Sequence, residues 1–207
     1  MAFLTPSSTR RAQLPGSHCH PRHWHILLCS LLLLLTWSGG NTVSRADEAA
    51  PSENQVKAAF LINFSKYVDW PAEALPETNS PITISCWGEM TLDDVLPGML
   101  ANKVVNGHPL VFKRLSSEGE CTNSCQILFI SGMNRRRLAE FLTKFRNTSV
   151  LTVGDGESFL DDGGIIRLAR RDRKIRFEVN VTQASQAGLK ISSKLLSVAD
   201  AVKGNLK

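Results

Sequence analysis

Apolar and polar positions along this chain change period several times, and each change marks a different kind of element. The first block, Ile26–Trp37, is almost unbroken and centred on Leu31–Leu35. Twelve residues fall short of the roughly 20 needed to span the hydrocarbon of a bilayer. Ser52-Glu53-Asn54-Gln55 reads as a capping box opening a helix. Val56, Ala59, Phe60, Phe64 and Tyr67 share one face of that helix, and Pro71 closes it after Asp69-Trp70. A linker loop, Leu75–Ser80, follows. Ile82–Trp87 then reads as a strand, Leu92–Leu100 as a short helix, Val104–Gly107 as a turn and Pro109–Leu115 as a second strand. Gln126–Ile130 is a continuous apolar run of the kind found in buried parallel strands.

Asn134 caps the next predicted helix, whose Leu138, Phe141, Leu142 and Phe145 face a core. Ser149–Val153 is another short strand, ending in the loop Gly154–Gly156. Ile165–Leu168 and Ile175–Val179 alternate and are joined by the polar stretch Ala169–Lys174, the pattern of an antiparallel hairpin. Asn180 and Gln183 cap a last helical segment carrying Ile191, Leu195, Val198 and Val202, which Gly188 divides. The fold class expected is α/β: a single mostly parallel sheet flanked by helices, with a C-terminal antiparallel hairpin.

Charge changes the picture only once it is located. The chain has 24 Lys plus Arg against 19 Asp plus Glu, a net of +5. Arg10, Arg11 and Arg22 precede the apolar block, and Ser44-Arg45-Ala46 follows it with small residues at the −3 and −1 positions. Basic, apolar, then small-x-small is the order of a secretory signal peptide, cleaved near Ala46. Residues 1–46 are therefore expected to leave, and 47–207 to form one domain in the periplasm. Removing these three arginines and Arg45 leaves 20 basic against 19 acidic residues, or +1. A general case for nucleic acid disappears with the leader.

Candidate chemistry is sparse. The expected mature chain keeps one histidine, His108, in the turn Asn106-Gly107-His108-Pro109, too little for a closed zinc site or a Ser–His or Cys–His nucleophile. No cofactor and no metal are expected, and no enzymatic activity. Asp155, Glu157, Asp161 and Asp162 make an acidic loop without EF-hand spacing, and Gly154-Asp155-Gly156 lacks the third glycine of a dinucleotide fingerprint. Arg135, Arg136 and Arg137 stand at a helix start, where the macrodipole disfavours them. Arg167, Arg170, Arg171, Arg173, Lys174 and Arg176 concentrate on the hairpin, with Arg176 and Glu178 on the face away from Ile175, Phe177 and Val179. Tyr67 and Trp70 are candidates to line a small ligand pocket with the Gly154–Phe159 loop.

Three stretches together resemble the YfiR family of periplasmic proteins: Lys57–Pro71; Thr152–Asp155 through Phe159 to Gly163–Ile166; and Lys174–Asn180 followed by Gly188–Leu196. The resemblance implies a secreted α/β protein that inhibits a membrane-bound diguanylate cyclase through its periplasmic sensor part. That activity lowers cyclic di-GMP and restrains biofilm. It also implies dimerisation and redox-responsive disulfides, with Cys86 and Cys125 matching one cysteine pair; the second pair, near Phe159–Gly164, has no cysteines here. A Cys86–Cys125 bond would close a loop of about 40 residues and contribute about 3–4 kcal/mol. Cys121–Cys125 is the local alternative, and a fully reduced state is the third.

Resemblance and charge location together nominate Asp155, Phe159, Arg176 and Glu178 for partner contact. The alternative function is a periplasmic small-ligand receptor, or the sensor component of a signalling or transport system.

Overall fold

The computed structural model describes residues 50–89, 92–117, 120 and 125–205. The expected signal peptide lies outside the described residues. Helix α1 (Glu53–Tyr67) opens on the expected capping box: the Gln55 amide donates to Ser52 Oγ at 3.2 Å, and the Ser52 amide donates to Gln55 Oε1 at 2.7 Å. Its buried face matches the expected one only in part: Phe64 is buried and Phe60 packs against the core, but the face is wider. Ala58, Leu61, Ile62, Phe64 and Ser65 are buried, while Tyr67 is exposed. Apolar residues lie on most sides of α1, so periodicity alone does not select the face turned to the sheet.

After the two-residue strand β1 (Val68–Asp69) the chain crosses into β2 (Ile82–Gly88), helix α2 (Leu96–Leu100) and the pair β3 (Val104–Val105) and β4 (His108–Arg114). Asn106-Gly107 makes that hairpin turn with φ of 51° and 90°, the left-handed pair a type I′ turn requires. Strand β5 (Ile127–Ser131), helix α3 (Arg135–Thr143) and strand β6 (Leu151–Gly154) follow. The terminal hairpin is β7 (Ile166–Arg171) and β8 (Lys174–Asn180), and the chain ends with α4 (Val181–Gln186), β9 (Lys190–Ile191), α5 (Ser193–Leu196) and β10 (Ala201–Lys203). Both hairpin strands run beyond the expected apolar cores, because the ladder continues to the two-residue turn at Asp172-Arg173.

The main sheet has the order β10-β8-β7-β6-β5-β2-β4-β3. Strands β4, β2, β5, β6 and β7 run parallel, β8 is antiparallel to β7, and β10 is parallel to β8. A separate two-stranded sheet pairs β1 with β9. One core cluster gathers α1, Ile82, Ile84, Ile127, Phe129, Phe177 and Val179, with Phe60, Phe64 and Phe177 in mutual ring contact at centroid distances of 5.4–5.9 Å. The second gathers α3 with Leu128, Ile130, Val150 and Phe159.

Two expectations are corrected here. Phe159 is 0% exposed, so it cannot touch a partner. Its ring fills a slot that only glycine leaves open: a Cβ at Gly154 would lie 2.2 Å from the ring, and one at Gly164 would lie 2.1 Å away. The Gly154…Phe159…Gly164 pattern is thus a packing device. The Cys86–Cys125 bond is not formed: Cys86 is a free, buried thiol, and Cys125 is disulfide-bonded elsewhere. The register explains why. Cys86 stands opposite Phe129 across the parallel pair β2–β5. That puts Cys125 four residues down the neighbouring strand, about 13 Å away, where a disulfide needs Cα atoms within about 7 Å. The two sulfurs also pack in different core clusters. Cys121, the local alternative partner, lies outside the described residues.

Phe159→Ala is expected to cost about 3–5 kcal/mol in urea unfolding. Gly164→Ala should be damaging as well, and an unchanged midpoint for it would refute the slot. Burial pushes the Cys86 thiol up to about 12, only partly offset by the nearby Arg114 charge. Cys86 should therefore resist iodoacetamide at pH 8 in the native protein and label on unfolding, as read by peptide mass spectrometry.

Candidate functional site

Because five strands run the same way, their carboxyl ends and the loops leaving them share one edge of the sheet. The loop after β6 begins at Asp155, whose carboxylate accepts a 2.9 Å bond from Lys57 Nζ. Lys57 also pairs with Glu53 Oε1 at 3.0 Å, and Glu53 Oε2 accepts from Arg170 at 3.2 Å. Burial alone would depress the Lys57 ammonium, but its bonds to Asp155 and Glu53 outweigh that and hold its pKa above the ordinary value. Asp155 is therefore engaged in fixing α1 to this loop.

The hairpin carries its charge unevenly. Glu178 stands directly opposite Arg167, which reaches both carboxylate oxygens at 3.1 Å. Arg167 also donates to the Glu157 carbonyl at 2.6 Å, tying the hairpin to the acidic loop. Arg171 takes Glu178 Oε1 at 2.8 Å and Asp200 at 3.0 Å. Glu178 is thus committed inside the protein, with its side chain only 12% exposed. Of the six basic residues expected on this element, Arg173, Lys174 and Arg176 stay exposed and form no ion pair among the described residues. Asp172-Arg173 holds the tip with φ of 47° and 62°, a rigid turn built without glycine.

The acidic loop is likewise paired: Lys203 holds Asp161, keeping its carboxyl below the ordinary range, and Arg135 reaches Asp162 at 3.2 Å. Among the described residues no group of three or more His, Cys, Asp or Glu side chains is arranged to hold a metal. The His108 ring uses Nδ1 on the Ser80 carbonyl at 2.8 Å.

Tyr67 and Trp70 do not meet the Gly154–Phe159 loop. Helix α1 runs against the strands, so its first turn reaches Asp155 while its last turn leads to the opposite edge. There Gln126, just before β5, donates to the Ala74 carbonyl. Ten residues of helix, from Lys57 to Tyr67, separate the two regions by about 15 Å. Tyr67 is 38% exposed, and Trp70 packs against the core with its Nε1 buried and unpartnered.

A larger concavity lies where sequence reasoning did not look. From β2 the chain goes first to β4 on one side and then to β5 on the other, so the loops after β2 and β5 leave in opposite directions. The crevice between them is a topological switch point. It holds a cleft of about 540 Å³ with Gly88 and Gly132 at its base and Trp87, Arg114, Met133 and Arg137 in its walls. The signal was present: a glycine directly after each of two strands, at Trp87-Gly88-Glu89 and Ser131-Gly132-Met133. It becomes readable once strand order is known.

No curated protein matches the chain. Among solved structures, a conserved domain protein from Vibrio cholerae O1 biovar El Tor is 14% identical with a TM-score of 0.47, covering 73% of this chain; this chain spans 60% of that one. An ABC domain from Streptococcus pneumoniae, solved in complex with L-Trp, is 10% identical with a TM-score of 0.41, the match covering 58% of this chain and 55% of the other. The family model described as YfiR/HmsC-like matches residues 54–200, from the first turn of α1 to the threshold of β10. On that match the chain belongs to the YfiR/HmsC-like family.

Proposed function

We propose that this protein is exported by residues 1–46 and restrains a membrane-bound diguanylate cyclase by docking on its periplasmic sensor part. Lower cyclic di-GMP is the output. The observation that carries the contact surface is the hairpin tip. Arg173, Lys174 and Arg176 are exposed, unpaired among the described residues and presented by a rigid two-residue turn. Long basic side chains on a pre-set turn steer an acidic face and fix its orientation. Asp155 and Glu178 act as positioning residues, the first through Lys57 and the second through Arg167 and Arg171. Among the described residues no helix is long and apolar enough to cross a membrane.

Deleting the gene in a host with a matching cyclase should raise cyclic di-GMP, measured by mass spectrometry, and the wild-type gene should restore it. The triple variant Arg173→Glu, Lys174→Glu, Arg176→Glu should weaken capture of the cyclase from detergent-solubilised membranes by about tenfold or more. It should also fail to restore the low level, at unchanged melting temperature. Full complementation by the triple variant would sink the tip as the contact. Asp155→Asn should instead cost about 1–3 kcal/mol of stability, because it strips a buried ammonium of one partner. A raised Lys57 pKa contributes stability that is complete at neutral pH and lost only as pH climbs through the folded value, above about 10.4. The Asp155→Asn deficit should therefore narrow in strongly alkaline buffer.

A further inference from the structure

We propose that the part of the partner docking at the basic tip is an extended strand of alternating acidic and apolar residues, added to the open edge of β8. This rests on the cyclase docking proposed above and names the chemistry of the docked segment.

Strand β8 is covered for only part of its length. On the side away from β7, β10 pairs with it from Glu178 to Asn180. Lys174, Ile175 and Arg176 have β7 on one side and, among the described residues, no strand on the other. One bond fixes which main-chain groups face that open side. The Asp200 amide donates to the Phe177 carbonyl at 2.8 Å, so the polar groups of Phe177 face away from β7. Successive residues of an antiparallel pair turn their N–H and C=O to alternate sides, so those of Ile175 face outward too. Neither group bonds another element among the described residues. The N–H and C=O of one residue, facing out together, are the pair of bonds that an incoming strand engages.

Side chains along this edge select the chemistry of that strand. Lys174 and Arg176 are exposed on one face, and Asp172 is the only acidic residue within 172–176. On the other face Ile175 packs against the first core cluster together with Leu196 and Ala199. Val198, two residues before the Asp200 amide that bonds this edge, is 65% exposed. An added strand thus meets positive charge on one face and apolar surface on the other, which alternation of acidic and apolar residues matches.

The same charges decide what is refused. A second copy presenting this edge would bring Lys174 and Arg176 against their own kind, and like charges across a strand pair are destabilising. Basic side chains on an open edge block self-pairing. Here they leave the edge free for a strand of opposite charge.

The capped peptide EVEVEVE is a suitable probe, with KVKVKVK as its basic counterpart. Titrated into the purified protein and followed by NMR, EVEVEVE should bind saturably and slow hydrogen exchange of the Ile175 amide at least tenfold. KVKVKVK should bind at least tenfold more weakly. The variant Arg173→Glu, Lys174→Glu, Arg176→Glu should reverse that preference. Main-chain pairing is read from the peptide, so it does not depend on how a variant folds. N-methylation of one alternate set of EVEVEVE amides should weaken binding at least tenfold, while methylation of the other set is tolerated, whichever direction the strand runs. No saturable binding of EVEVEVE, tolerance of both methylated sets, or exchange protection at Val111 in place of Ile175 would each overturn the proposal. The assay contains no cyclase, so its failure leaves the cyclic di-GMP result of the gene deletion standing. An unchanged cyclic di-GMP level would in turn refute the cyclase reading without touching the peptide result.

Discussion

Parallel pairing of β4, β2, β5, β6 and β7 is the constraint from which the rest of this molecule follows. Parallel neighbours cannot be joined by a tight turn, so each connection must travel back across a face of the sheet. Both faces consequently need cover. Helices α1 and α2 lie with the first core cluster, and α3 lies with the second. Strand direction also sorts the chemistry. The cleft, the Asp155 loop and the basic hairpin tip all fall on the carboxyl edge. Trp70, Ala74 and His108 fall with the strand starts, where the ring of His108 is spent on a backbone carbonyl. A single topological fact separates a chemically varied edge from an inert one.

Within that frame the hairpin is specified by charge as much as by apolar alternation. Arg167 and Glu178 are opposite each other, and both side chains are nearly buried. Desolvating such a pair offsets much of its attraction, so it adds little net stability. Its effect is on register. A one-residue slip would turn Glu178 toward Phe60 and Phe64 and send Phe177 into solvent. The same carboxylate takes Arg171, and β10 runs alongside with Ala201 opposite Glu178. One acidic residue therefore absorbs two of the six basic residues on this element, and Glu53 takes a third. What reads along the chain as a broad basic patch is, in the fold, a sharp basic tip.

Local patterns carried the elements well, because caps and alternation are decided by neighbours in the chain. The Ser52 and Asn134 caps, the α3 face and the terminal hairpin all formed where their residues indicated. What stayed illegible depends on distances between elements. Cys86 closes β2 and Cys125 opens the approach to β5, so in parallel neighbours they must lie at opposite edges; that conclusion needs strand order and register together. Tyr67 and the Gly154–Phe159 loop both carry aromatic side chains, but the antiparallel run of α1 parts them. Phe159 misled for a different reason. A phenylalanine in a glycine-rich acidic loop looks like a surface anchor until the two flanking glycines prove to be the walls of its slot. The switch-point cleft was hidden most completely, since its walls come from β2, β4, β5 and α3 and no single segment carries its signature.

The shared edge has an energetic corollary. From β5 to β8 is three strand spacings, about 14 Å, and the basic tip stands five residues beyond Arg167, which pairs with the last residue of β6. The cleft and the tip are also mechanically joined. Helix α3 contributes Arg137 to the cleft wall, and two residues earlier its Arg135 holds Asp162, which Ser158 Oγ also reaches at 2.5 Å. That loop is clasped in turn by Arg167, through the Glu157 carbonyl, and Arg167 is one half of the ion pair that sets the hairpin. A displacement of the α3 terminus therefore acts on the element that presents Arg173, Lys174 and Arg176.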